Sequence, residues 1–128
     1  MNKENIPKVV LRIALSIVFL YFGSQQVLHT SDWAGFVPEI ATRFFLSANN
    51  IVMINGTVEL ILGIFLLIGI YTRVSAFILS IHLLVIALPM GLNPTAVRDF
   101  GLALATFVIF LNGTDNWCID RKFDKKKN

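Results

Sequence analysis

An all-α integral membrane fold, a four-helix bundle with a short interfacial helix between its first two spans, is what this sequence predicts. Three observations carry the prediction. Of 128 residues, 55% are hydrophobic and 15% charged, with a mean hydropathy of +0.71. Soluble domains hold about 25% charged residues, so lipid is the better solvent for this chain. Four segments, 7–28, 51–70, 74–90 and 97–117, are apolar and close to the roughly 20 residues that cross hydrocarbon. The basic residues are segregated: Lys3, Lys8 and Arg12 lie at the start, Arg73 between the second and third spans, and Arg121, Lys122, Lys125, Lys126 and Lys127 at the end. With four spans all of these share one side, leaving Arg43 and Arg98 on the other. Basic flanks mark the cytoplasmic side, so both termini are expected there. Three spans would put the basic tail outside, and that reading is rejected.

The expected organisation is a single transmembrane domain over 1–128 with a basic tail from 118 to 128. Pro7 suits the first turn of the first helix, which becomes polar at Gln25, Gln26 and His29. No small-residue cleavage pattern follows Phe22, so this span reads as a retained anchor and not a signal peptide. The connection 30–50 is too polar to span and too apolar for a free loop. Trp33, Phe36, Val37, Ile40 and Phe44 make a helical stripe, and Pro38 limits it to a short helix over about 38–48, lying at the outer interface or packed as a lid. Gly69–Arg73 reads as a tight inner turn, and Gly91–Thr95 as an outer one. The fourth span is the weakest, since it opens with Arg98 and Asp99. Trp33 and Trp117 fit the two aromatic belts of a membrane.

Glu59 is the least expected residue. A carboxyl inside a span costs about 2.5–3.5 kcal/mol on insertion scales, so it faces a partner, a cavity or a pathway. Asn55, Gly56, Glu59 and Gly63 form a small and polar stripe that should point into the bundle. Counting from Ile51, Glu59 lies roughly 12 Å below the outer edge. Gln25, Asn55, Glu59, Arg98 and Asp99 then share the outer half, with His82 near mid-membrane as a hydrogen-bonded bundle histidine. These six form the candidate polar core. Two readings remain open: a buried Glu59–Arg98 pair that locks the bundle, or an outward-facing pocket for a ligand head group or a proton.

Residue inventory removes other chemistries. Cys118 is the single cysteine, so no dithiol relay exists within the chain. His29 and His82, at different depths, do not suit bis-histidine haem, and no metal site, HExxH helix or phosphate loop is present. The basic tail is adequately explained by topology and anionic membrane lipid, so no nucleic-acid partner is expected.

Asn55–Gly63, running on to Leu67–Arg73, together with Arg98–Leu102, the apolar run to Gly113 and the closing Ile119–Asp120, resembles the signature of the DoxX family. The resemblance implies a small bacterial four-helix protein of the cytoplasmic membrane. It implies association with quinone-linked thiosulfate oxidation, quinol oxidase complexes or membrane-bound oxidoreductase assemblies. It also carries over Asn55, Glu59, Arg73, Arg98 and Asp99 as a polar set without assigned roles. A membrane subunit of a quinone-linked oxidoreductase is therefore the leading expectation, with a quinone as candidate cofactor and other oxidoreductase subunits, or further copies of the chain, as partners. No self-contained catalytic motif is visible. A non-enzymatic scaffold or assembly factor, and a small transporter, remain as alternatives.

Overall fold

Pro7 in the first turn starts a long helix, α1 (Ile6–Leu28), in the computed structural model, which describes residues 3–44 and 46–127. The chain then forms α2 (Thr30–Trp33), a 3-10 turn (Ala34–Phe36) and α3 (Glu39–Phe44), followed by α4 (Ala48–Ile68), α5 (Thr72–Met90), α6 (Pro94–Asn112) and α7 (Ile119–Lys127). Four of these, α1, α4, α5 and α6, are long and apolar enough to cross a membrane. They pack as two intimate pairs, α1 with α4 and α5 with α6, with lighter contact between the pairs.

Burial runs opposite to that of a soluble protein. Arg12, Ser16, Gln26, Glu59, Ser80, Asp99 and Thr106 are buried, whereas Ile17, Tyr21, Ile61, Ile64, Ile81, Leu104 and Val108 are exposed. Only a hydrocarbon solvent makes that distribution favourable. Between the pairs lies an apolar core built from Leu15, Phe19, Leu66, Leu79, Leu83, Ala103 and Ile109.

Close approach of α1 and α4 depends on glycine. A Cβ on Gly56 would stand 2.8 Å from the Gln26 Cβ and 2.9 Å from the Gly23 carbonyl oxygen. The backbones touch here, as small residues allow in membranes.

Three boundaries differ from the sequence expectation. The helix expected over 38–48 is shorter, and α2 and a 3-10 turn precede it. Trp33 ends α2, Phe36 belongs to the 3-10 turn, and α3 stops at Phe44, with Phe45 outside the described residues. Ser47 accepts a hydrogen bond from the Asn50 N–H, so Ala48 opens the second span instead. The fourth span shifts from 97–117 to 94–112. The Asn93 side chain accepts from the Ala96 N–H at 2.8 Å and Pro94 occupies the first turn, while Gly113 at φ 72° ends the helix. The basic tail is not a free segment throughout, because its first residues are built into the bundle. The Asp120 carboxylate accepts from the N–H groups of Tyr71 and Thr72 at 2.9 and 2.8 Å, capping α5, and its own N–H donates to the Gly69 carbonyl. Those bonds hold Tyr71 at φ 49°, a conformation rare for a non-glycine residue.

The end of the bundle that carries the termini is closed by Arg12. Read in the sequence as a flanking charge, it is 2% exposed. Its Nε donates to Asp115 at 2.6 Å, and Nη1 donates to the Leu66 and Leu67 carbonyls at 2.8 and 2.6 Å. One side chain thus satisfies the open carbonyls ending α4 and ties α1 to the segment after α6. Burial alone would raise the Asp115 carboxyl, but the Arg12 hydrogen bond and charge and the Trp117 N–H hold it below its ordinary 3.8. Burial raises the neighbouring Cys118 thiol, and the Thr72 hydroxyl offsets only part of that.

Arg12→Met should therefore cost about 3–5 kcal/mol by leaving a buried carboxylate unpaired. Arg12→Met with Asp115→Leu should recover most of that loss in thermal unfolding in detergent. Because folding lowers the Asp115 pKa, the pair stabilises fully above the ordinary value and its contribution is lost as pH falls through the folded one. Acidification below about pH 4 should lower the wild-type melting temperature more than that of the double variant.

Candidate functional site

At the opposite end the two helix pairs diverge around a cavity of about 670 Å³. Ligand pockets commonly measure 300–1,000 Å³, so the volume suits a small organic molecule. Phe19 and Phe22 of α1, Val52 of α4, Leu83 and Ile86 of α5 and Leu102 of α6 supply apolar walls. Trp33, Phe36, Ile40 and Phe44 from the α1–α4 connection line it too, so that connection packs as a lid over the cavity. An aromatic contact joins the lid to α1, with Trp33 meeting Phe22 edge-on at 5.8 Å, and within the lid Trp33 packs against Phe36 at 5.7 Å.

The polar residues lining the cavity include Gln26, Asn55, Glu59, Arg98 and Asp99. Glu59 is 4% exposed. Its Oε2 accepts from Gln26 Nε2 at 3.1 Å and its Oε1 from Asn55 Nδ2 at 3.3 Å. Asn55 Nδ2 also donates to Gln26 Oε1, closing a three-residue ring across the α1–α4 contact. The Gly23–Gly56 approach brings Gln26 within reach of Glu59, so the glycines and the polar ring are one construction.

Of the six expected residues, Asn55 and Glu59 are brought together directly. Gln25 takes no part in the ring; Gln26, which sequence reading passed over, occupies that place because it lies on the buried face of α1 with Phe19 and Gly23. The Glu59–Arg98 pair does not form. Arg98 is 43% exposed, donates from Nε and Nη2 to Asp99 Oδ1 at 3.2 and 3.1 Å, and lies 4.8 Å over the Phe22 ring. A carboxylate one residue away captures it before it can reach Glu59.

His82 is not a hydrogen-bonded bundle histidine. Its buried Nε2 has no hydrogen-bond partner among the described residues and stands 3.7 Å from Glu59 Oε1, beyond hydrogen-bonding distance. Counted from the outer ends of their helices, Ala48 and Met90, Glu59 lies about 16 Å deep and His82 about 12 Å, so both sit near the middle of the bundle. Arg73, carried over from the family resemblance, lies at the other end, with its guanidinium against Gly113. Among the described residues no group of three or more His, Cys, Asp or Glu is placed to hold a metal ion.

A multi-pass membrane protein, with a lidded apolar cavity bounded on one wall by a carboxyl–amide ring, is the class that this architecture defines. The DoxX family model matches residues 8–91, more than half of the chain. The protein belongs to the DoxX family. The matched segment includes α1 to α5, with Gln26, Asn55, Glu59 and His82; Arg98, Asp99 and Asp115 lie beyond it. Comparison with curated proteins and with solved structures gives no match.

Gln26→Leu should destabilise the protein by about 1–3 kcal/mol, because it leaves Glu59 and Asn55 short of partners inside the bundle. Gln25→Leu should stay within about 0.5 kcal/mol of wild type, like a substitution away from such features. Thermal unfolding of both variants in one detergent checks the contrast. Equal losses would refute the assignment of Gln26 over Gln25.

Proposed function

We propose that this protein is a membrane subunit of a quinone-linked oxidoreductase system in a bacterial cytoplasmic membrane, with both termini cytoplasmic, and that it holds a lipophilic redox molecule in its lidded cavity. The observation that carries the reading is the cavity itself: about 670 Å³, largely apolar, with a carboxyl and two carboxamides on one wall. A quinone-type molecule in its reduced form fits that lining, since its ring needs apolar contact and its hydroxyls need a few polar partners. When bound, such a molecule carries electrons and protons within the hydrocarbon phase. Gln26, Asn55 and Glu59 would hold its head, and Phe19, Phe22, Trp33 and Leu83 would pack its ring and tail and exclude water. The basic ends of α1 and α7 and Arg73 support the cytoplasmic orientation.

A second reading, a non-enzymatic scaffold, is supported by the internal bonding of the ring, since the hydrogen bonds of Glu59 run to Gln26 and Asn55. Mass spectrometry of the lipophilic extract from protein in native nanodiscs separates the two, with wild type compared with Glu59→Gln. Enrichment of a quinone or isoprenoid in wild type, lost in an equally folded variant, is the expected result. Equal folding with no enriched molecule in either protein would favour the scaffold.

A further inference from the structure

The cavity's hydrogen-bonding groups are unevenly used. Asn55 Nδ2 spends its hydrogens on Gln26 Oε1 and Glu59 Oε1, and Gln26 Nε2 spends one on Glu59 Oε2. A carboxylate offers about four acceptor positions on its two oxygens. Only two donors reach Glu59, and His82 Nε2 stops short at 3.7 Å. The ring is therefore rich in acceptors and poor in free donors.

Charge points the same way. Glu59 and Asp99 face a single cation, Arg98, among the lining residues, for a formal balance of one negative charge. Arg98 is already engaged by Asp99 through two nitrogens and by the Phe22 face. An incoming phosphate or carboxylate at the ring would meet like charge, and the one cation among the lining residues is already paired with Asp99.

We propose that the ligand is a neutral amphiphile whose head donates a hydrogen bond to Glu59, a hydroxyl of the alcohol, phenol or hydroquinone kind, and that the site rejects acceptor-only heads and anionic lipids. This rests on the reading of the cavity as a lipophile site and adds the chemistry of the head. The hydroxyl supplies the donor that the ring lacks. Its oxygen can also accept the second Gln26 amide hydrogen, a pairing that an ether or a carboxylate cannot reproduce in full. A buried acceptor left without its donor is the basis of the discrimination.

Three probes with the same decyl tail test the proposal: decylhydroquinone, its dimethyl ether and decanoate. Binding is measured by native mass spectrometry of full-length protein released from nanodiscs. The expected result is hydroquinone binding about tenfold or more tighter than either competitor, the scale of one hydrogen bond to a buried polar group. In Glu59→Gln that preference should shrink, because the new amide brings a donor to the ring. Equal binding of hydroquinone and ether to wild type, or tighter binding of decanoate, overturns the donor assignment and leaves the lipophile cavity standing. Binding of none of the three overturns both. The wild-type comparison decides without the variant, so poor folding of Glu59→Gln leaves the test intact.

Discussion

Arg12 holds together segments distant in sequence. Its guanidinium is shared between the Asp115 carboxylate and the carbonyls ending α4, so α1, α4 and the segment after α6 converge on one buried cation. Taking this charge out of water is expensive, and a buried ion pair is poor at adding net stability. What it supplies is direction. Each of its three nitrogens is committed, and losing any partner leaves an unsatisfied group in the bundle interior, so the helices have one register at this end. Asp120 extends the same junction by capping α5, and Gly69 permits it. A Cβ at Gly69 would stand 2.5 Å from the Cys118 Cα, and its φ of 77° is itself a glycine conformation.

With that end fastened, the other is free to open. The helices associate as pairs, and the α1–α4 pair is drawn tight at Gly23 and Gly56 while α5 and α6 stand off across the cavity. The same contact that narrows the α1–α4 seam assembles the polar ring, because Gln26 is one turn beyond Gly23 and Glu59 nearly one turn beyond Gly56. Structure and candidate function thus share their residues. The lid formed by α2, the 3-10 turn and α3 buries no residue fully, so it is the least buried wall of the cavity.

Much of the site was legible. Glu59 and Asn55 stand out as polar residues in an apolar run, and their spacing of four puts them on one helix face. Gln26 was legible in principle: Arg12, Ser16, Phe19, Gly23 and Gln26 repeat at helical spacing, and that stripe is the buried face of α1. Reading it would have chosen Gln26 over Gln25 and recognised Arg12 as an interior group. The proximity of His82 to Glu59 was legible in principle, since each lies eight residues from the outer end of its expected span, Ile51 and Met90. The choice of Asp99 over Glu59 as partner for Arg98 was not legible, because it depends on side-chain reach between particular helices.

By itself the sequence determined the solvent, the number of spans and the presence of a carboxyl that membranes disfavour. These follow from composition and periodicity, which act locally along each helix. The tertiary structure decided which polar groups meet. Arg12 finds Asp115 more than a hundred residues away, Gln26 replaces Gln25, and Arg98 turns aside to Asp99. The reason is geometric: a hydrogen bond needs its partners within about 3 Å, while helical periodicity fixes only a face about 100° wide. Helix pairing and depth then decide which residues on those faces stand opposite one another.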